Sequence, residues 1–262
     1  MDLQGKHAVV TGAGRGIGAA LAGEFHTRGA KVVLADLAGA EEAAAAIGGE
    51  RVAGLVADVS TEDGNRQLME EARAVFGPID LFFANAGVGT GTTLADTSED
   101  VWATAFDVNV HAHRWAAKYL VPEWLERGDG YFCSTASAAG LLAQIGSGPY
   151  TLTKRAAVAF AEWMAITYGD AGIKVTCLCP QGVNTEMLHG GDDPISGGNV
   201  VKAAGAVLEP EDVAVQVADA IEAQTFFVLP HPEVADYMQF KAADPDRWLA
   251  GMRKLQRRVV GG

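Results

Sequence analysis

Cationic side chains are scarce in this chain. Lys and Arg number 20 against 33 Asp and Glu, a formal net charge of −13. A surface of that sign repels polyanions, which argues against nucleic acid or an anionic membrane as partner. Cysteine is scarce as well, with three residues. Cys177 and Cys179 lie two apart on an expected strand, hence on one face, and no second Cys or His cluster stands at metal-ligand spacing. They read as small buried hydrophobes in a reducing compartment, and no metal is expected. No apolar run approaches the ~18 residues of a membrane helix, and no basic-then-apolar signal segment opens the chain. The expected location is the cytoplasm. No linker, repeat or break in composition divides the 262 residues, and 49% of them are hydrophobic, enough for a large core. The expectation is one α/β domain over residues 1–262.

What is present concentrates between Tyr131 and Lys154. Tyr131–Cys133 is a short apolar run of strand type, and Ser137 follows its end. From Thr151 to Thr167, Leu152, Ala156, Ala159, Phe160, Trp163 and Ile166 recur at helical intervals. Tyr150 and Lys154 are four apart at the head of that helix, so they share a face. A free phenol has a pKa of about 10. A cation within ~4–6 Å lowers an acid by roughly 1–3 units, so the lysine alone falls short of neutral pH. A second positive group, such as an oxidised nicotinamide ring, would close the gap. Ser137 adds a hydroxyl able to hydrogen-bond a carbonyl or alkoxide oxygen. Tyr-x-x-x-Lys by itself recurs by chance, so the rest of the chain must decide.

The first forty residues supply a second motif. His7–Thr11 is a buried strand, followed by Gly12-Ala-Gly14-Arg15-Gly16-Ile17-Gly18, a helix running to Gly29, and a second strand ending at Asp36-Leu37. Strand, glycine turn, helix, strand and acid form a dinucleotide-binding unit, in which glycines admit the pyrophosphate and the helix N-terminus faces it. Asp36 lies where the adenosine ribose hydroxyls are bound. A 2′-phosphate there would face a like charge costing roughly 4 kcal/mol per unit at ~4 Å. NAD is therefore favoured over NADP, with Arg15 as the residue that could reverse the choice.

Further along, Ala40–Ile47 is an alanine-rich connecting helix, a third strand over Arg51–Val56 leads to Asp58-Val59 near the adenine edge, and Thr61 caps a helix over Glu62–Phe76. A fourth strand over Ile79–Phe83 closes at Asn85-Ala86-Gly87, which suits close approach of the cofactor. Ser98–Glu126 is helical, with Pro122 expected to bend or interrupt it. Its stripe of Trp102, Phe106, Asn109 and His113 should be buried, which leaves Asn109 in need of polar partners. His113 reads as a core histidine and His111 as structural. A sixth strand over Ile173–Cys179 breaks at Pro180. Residues 186–208 lack periodicity and suit a substrate loop. Pro210–Ala223 is a helix, Thr225–Leu229 a last strand, and residues 231–262 a tail packed on the domain or on a neighbouring subunit, with Trp248, Met252 and Leu255 on one face.

With these motifs in order, the sequence resembles the short-chain dehydrogenase/reductase family over about 230 residues. The matching stretches are Thr11 through Gly18, Asp58-Val59, Asn85-Ala86-Gly87, Asn109, Ser137 with Tyr150 and Lys154, and Pro180 through Thr185. The resemblance implies a Rossmann-type, doubly wound sheet of seven parallel strands flanked by helices, in a homotetramer or sometimes a homodimer. It implies Tyr150 as general acid/base, Lys154 as its pKa modulator and ribose ligand, Ser137 on the substrate oxygen, and Asn109 on a relay water. Val183 and Thr185 match positions that hold the nicotinamide carboxamide, with Pro180 beside them. Two departures stand out: Ala84 precedes Asn85 where Asn is frequent, and Gln181 follows Pro180 where glycine is usual.

The leading expectation is hydride transfer between NAD and a secondary alcohol or ketone. Ser137, Ala139, Leu141, Gln144, Tyr150, Met187 and Leu188 would form a mostly apolar pocket for a hydrophobic small molecule. An NADPH-dependent ketoreductase using Arg15 and a non-catalytic NAD(H)-binding regulatory protein are the alternatives.

Overall fold

A computed structural model describes residues 1–92, 94–189 and 206–260. Most of the segment expected to be a substrate loop, residues 190–205, lies outside the described residues, as do residues 261–262. Within them, seven strands form one parallel sheet: β1 (His7–Thr11), β2 (Lys31–Asp36), β3 (Val52–Val56), β4 (Leu81–Ala84), β5 (Gly130–Thr135), β6 (Ile173–Leu178) and β9 (Phe227–Val228). Their spatial order is β3-β2-β1-β4-β5-β6-β9. The order reverses at β1 and β4, so the carboxyl ends of these two strands flank a crevice of the kind that binds ligands in open α/β sheets.

Both faces of the sheet are covered, which is why its central strands are continuous apolar runs rather than alternating ones. Successive side chains still point to opposite sides. Val9, Val33, Phe82 and Phe132 face the helices α3 (Glu62–Phe76), α5 (Ala112–Arg127) and α7 (Gly148–Tyr168), meeting Leu68, Leu120, Trp124 and Val158. Val10, Leu34, Phe83 and Tyr131 face α1 (Gly16–Thr27), α2 (Ala40–Ile47) and α9 (Pro210–Ala223), meeting Leu21, Phe25, Ala44 and Val217.

Three local features depart from expectation. The helical region after Ser98 is not interrupted at Pro122, which sits inside an unbroken α5. The irregularity comes earlier, where α4 (Glu99–Phe106) passes into α5 through a π-helical turn over Asp107–His111. Such a turn carries one extra residue, which the apolar periodicity does not register. Second, the helix-marking residues Leu152, Trp163 and Ile166 are on the outer side of α7, at 51%, 51% and 84% exposure, whereas Thr153, Lys154, Ala157, Val158 and Ala161 face inward. Third, β7 (Gly182–Val183) pairs in parallel with β8 (Val207–Leu208) as a separate two-stranded sheet, too short to leave a sequence signature.

The C-terminal tail forms α10 (Glu233–Ala243) and α11 (Pro245–Val260). Val234 of α10 joins the core, and Trp248 of α11 lies against the rings of Tyr237 and Phe240. Among the described residues no helix is long and apolar enough to cross a membrane.

One buried ring ties α5 to the sheet. Trp124 is fully buried, donates from Nε1 to the Ile79 carbonyl at 2.8 Å, and lies flat against Gly130, where an added Cβ would come within 2.3 Å of it. Trp124→Ala is expected to cost about 3–5 kcal/mol of unfolding free energy in a urea titration. Gly130→Ala should also destabilise, because the indole has no room to retreat.

Candidate functional site

The crevice is built from strand ends. After β1 the chain turns through Gly12, whose φ is +62° and whose missing Cβ lets Ala86 approach, since a Cβ there would lie 2.7 Å from the Ala86 Cα. Gly18 in α1 is pressed against the same turn, and a Cβ on it would stand 2.1 Å from the Gly12 carbonyl oxygen. Helix α1 begins at Gly16 after Arg15 with no side chain capping it and no acid in its first turn. Its free N–H groups and positive dipole end therefore face the crevice, an arrangement that suits a pyrophosphate. Ile17 packs against the core behind the turn.

Asp36 ends β2 beside this turn, and its Oδ2 accepts a hydrogen bond from the Gly14 N–H at 2.9 Å. Leu37 next to it is 67% exposed, an apolar surface at the rim. Asp58 follows β3 and is turned onto Ser60, its Oδ1 accepting from the Ser60 N–H and hydroxyl at 2.9 and 2.6 Å, while Val59 is buried. Arg15 pairs with Glu186 across 2.5 Å, both side chains largely exposed.

Asn85 stitches three strand ends together. Its Nδ2 donates to the carbonyls of Thr11 and Gly12 at 3.0 and 3.2 Å, and its Oδ1 accepts from the Thr135 hydroxyl at 2.9 Å. The Thr11 hydroxyl in turn accepts from the N–H groups of Asn85 and Ala86. Thr135 then reaches the lysine: the Lys154 Nζ donates to the Thr135 carbonyl at 2.9 Å. Gly87 keeps this space open, since a Cβ there would lie 3.1 Å from Lys154 Nζ and 3.2 Å from Asn109 Oδ1.

Asn109 is fully buried in the π turn and finds the partners that its position requires. Its Oδ1 accepts from Val88 N–H at 2.9 Å, and its Nδ2 donates to the Val88 carbonyl and the Thr153 hydroxyl at 3.0 and 3.1 Å. His113 is buried on the same side, its Nδ1 paired with the Ser134 hydroxyl at 3.1 Å. Burial, with the Lys154 charge, pushes its pKa down to about 3, so it is a neutral core group.

Helix α7 starts earlier than its apolar stripe suggests. The Ser147 hydroxyl caps it by accepting from Tyr150 N–H at 3.2 Å, and Pro149 occupies the first turn, where a missing N–H costs nothing. Tyr150 and Lys154 share its inner side, with Nζ 5.7 Å from the centre of the phenol ring. Ser137 caps the short α6 (Ala138–Leu141), its Oγ accepting from Ala139 N–H at 3.1 Å and donating to the Pro180 carbonyl at 3.4 Å. The expected lowering of the phenol pKa is reversed in the protein by itself. Burial pushes Tyr150 up, and the Ser137 hydroxyl offsets only part of it. Burial pulls the Lys154 ammonium down to about 8, the buried thiols of Cys177 and Cys179 countering weakly. Those two sulfurs are 3.7 Å apart, on one side as expected.

The remaining expected residues distribute unevenly. Val183 is buried in β7, and Thr185 stands over the glycine turn, its methyl 3.2 Å from where a Gly16 Cβ would be. Met187 is exposed and lies over Gly89, and Leu188 is buried in the short helix α8 (Glu186–His189). Ala139 is buried at the start of α6, whereas the Leu141 side chain turns into the core. Gln144 is held through its N–H to the Thr151 hydroxyl at 2.9 Å. Thr11 stood in the sequence only as the head of the glycine stretch, and Thr135 and Thr153 went unmarked, yet the hydroxyls and carbonyls of these three link the named groups. Their signal was a polar residue at a strand end or beside the lysine, which is indistinguishable from an ordinary turn or helix residue.

The sequence matches the model of the short chain dehydrogenase family over residues 6–194. It is 34% identical over 221 residues to meso-2,3-butanediol dehydrogenase of Serratia marcescens, covering 83% of this chain and 88% of that protein. The fold superposes with a TM-score of 0.85 on a short chain dehydrogenase/reductase from Burkholderia phymatum in complex with NAD, at 29% identity over 94% of this chain and 96% of that one. It superposes with a TM-score of 0.79 on the 3-ketoacyl-(acyl-carrier-protein) reductase of Brucella melitensis complexed with NADH, at 27% identity over 87% and 98% of the two chains. With its glycine turn, its seven-stranded parallel sheet and these likenesses, the chain belongs to the short-chain dehydrogenase/reductase family of oxidoreductases.

Proposed function

We propose that the protein is an NAD-dependent dehydrogenase that interconverts a hydrophobic secondary alcohol and its ketone. The observation that carries this reading is the buried Lys154, held by the Thr135 carbonyl 2.9 Å away and standing 5.7 Å from the Tyr150 ring. A core lysine with no carboxylate partner among the described residues serves packing poorly, and a proton-transfer site gives it a use. The residues present fit a dinucleotide. Gly12, Gly14, Gly16 and Gly18 with the α1 N-terminus would hold the pyrophosphate, and Asp36 and Leu37 the adenosine ribose and its surroundings. Asp58, Val59 and the Asn85-Ala86-Gly87 turn would line the path, and Pro180, Val183 and Thr185 would flank the carboxamide. When bound, the oxidised nicotinamide supplies the hydride acceptor and a positive charge.

In this reading Tyr150 takes the proton of the substrate hydroxyl, and Ser137 hydrogen-bonds the substrate oxygen as charge develops on it. Lys154 favours the phenolate and binds the nicotinamide ribose, and Asn109 anchors the relay that returns the proton. Ala139, Gln144, Met187 and Leu188 offer mostly apolar contacts, with Leu141 backing them from the core. The name of the butanediol dehydrogenase relative supports a secondary alcohol as substrate. Asp36 supports NAD, and the Arg15–Glu186 pair supports it further by engaging the guanidinium of the glycine turn. The exposed Leu152, Trp163 and Ile166 on α7 support a homotetramer or homodimer, with the chain acting as one domain in each subunit.

Three outcomes test this. Tyr150→Phe should lower kcat on the best alcohol of a broad panel by about 10²-fold or more while leaving the NAD Kd within about twofold. Substantial residual turnover would refute the assignment. Asp36→Ala should raise the NADP-to-NAD ratio of kcat/KM roughly tenfold or more, and an unchanged ratio would remove Asp36 as the selector.

The third follows from linkage. Lys154 titrates at about 8 in the folded protein against 10.5 when free, so between these values the unfolded chain holds more protons and stability rises with pH. Below pH 8 both states are protonated and the whole penalty, about 3 kcal/mol, is felt. Lys154→Met removes it but strands the Thr135 carbonyl, at about 1–3 kcal/mol. The variant is expected to melt slightly above the wild type at pH 7 and to lose that advantage by pH 10, with turnover abolished at both. A variant less stable at pH 7 than at pH 10, relative to wild type, would contradict the sign.

A further inference from the structure

The residue that ties the site to the far edge of the sheet is a histidine outside every motif. His231 follows β9 and is 2% exposed. Its Nδ1 faces the Gln181 N–H at 3.2 Å, and its Nε2 faces the Ala206 carbonyl at 3.2 Å. A backbone N–H can only donate and a carbonyl can only accept, so the ring accepts at Nδ1 and carries its proton on Nε2.

Each contact leads to a different part of the site. The Gln181 N–H and the Pro180 carbonyl belong to one peptide plane. On its opposite edge, that plane's oxygen accepts from the Ser137 hydroxyl at 3.4 Å and from Ala138 N–H at 2.8 Å. A peptide is rigid, so fixing its N–H fixes the direction of its carbonyl, and with it the loop that presents Ser137. The other contact holds Ala206 at the entry to β8. Strand β8 pairs with β7 through Gly182↔Val207 and Val183↔Leu208, and Asn184 N–H donates to the Leu208 carbonyl at 2.8 Å. The Asn184 amide also donates to both oxygens of Glu209, at 3.1 and 3.0 Å. Both strands meeting at the nicotinamide end are thus referred to one imidazole.

We propose that His231 is a positioning residue with two separable outputs: Nδ1 sets Ser137 through the Pro180–Gln181 peptide, and Nε2–H sets Val183 and Thr185 through Ala206 and the β7–β8 pair. The proposal rests on the dehydrogenase reading above. Preorganisation of this kind acts on rate because small displacements of a hydrogen-bonding group from the reacting oxygen are costly.

The two contacts can be separated by isosteres. His231→Asn places a carbonyl oxygen near the Nδ1 position and lacks the reach to Ala206. His231→Gln carries an amide N–H to the Nε2 position and loses the acceptor at Nδ1. His231→Phe keeps the ring volume and loses both. Steady-state kinetics on the best alcohol, NAD binding by fluorescence titration, and hydrogen exchange of the Gln181 amide in the cofactor-free protein are measured for all three. The Gln variant is expected to lose roughly tenfold in kcat with an NAD Kd near wild type and a faster-exchanging Gln181 amide. The Asn variant should keep kcat within about threefold and the amide protected, while its NAD Kd rises several-fold. The Phe variant should show both losses. Parallel losses in the Asn and Gln variants, or wild-type kcat and amide protection in the Phe variant, would overturn the proposal. Wild-type turnover in the same assay separates that failure from a failure of the dehydrogenase reading, and the exchange measurement depends on no activity at all.

Discussion

The arrangement depends on a lysine ammonium kept dry at the end of a parallel strand. Lys154 is 2% exposed, and its hydrogen bond to the Thr135 carbonyl joins the Phe132–Phe160 ring contact in holding helix α7 on β5. Burying that charge is unfavourable, and its depressed pKa records the cost. The surroundings are arranged around it. Gly87 withholds a side chain, Asn109 fills the space beside it, and the Thr135 hydroxyl passes the constraint to Asn85 and so to the glycine turn. The glycine turn and the Tyr150–Lys154 end of the crevice are joined by short side chains and strand termini. A displacement at either end is therefore felt at the other.

Burial moves the two titrating groups in opposite directions. It raises the phenol and lowers the ammonium, so the protein by itself holds Tyr150 protonated and makes Lys154 an easier proton donor. A cation one turn away would lower the phenol if the pair stood in a uniform medium. In the structure desolvation dominates at Tyr150, and the hydrogen bond with the Ser137 hydroxyl is what partly offsets it. A positive charge brought to the crevice would lower the phenol from this raised value.

Much of this was legible in the residues. Gly12 through Gly18, Asp36 and the Tyr150–Lys154 spacing are local patterns, and each sits at the strand end or helix start that its spacing implies. The parallel pairing of the strands follows from their alternation with helices, whereas the order in which they lie does not. Legibility stopped where the information is not local. The π turn that buries Asn109 leaves the apolar period almost intact, β7 and β8 are two residues each, and Thr135 acts through a carbonyl that every residue has. The stripe of Leu152, Trp163 and Ile166 identified a helix correctly but faces outward, because periodicity gives the spacing of a face and not what covers it.

The departure at Gln181 shows the same limit from the other side. A glycine after Pro180 would be irreplaceable only if the backbone there needed a left-handed conformation or a close approach. Among the described residues the non-glycine positions with positive φ are Ala143 and Gln224, so Gln181 takes an ordinary backbone conformation. Its N–H still reaches His231, and the Pro180 carbonyl still receives Ser137 and Ala138. What these hydrogen bonds fix at this point is the orientation of one peptide group. That quantity is set by partners 43 and 50 residues away in the chain, and substitution of a side chain leaves it untouched provided φ stays negative.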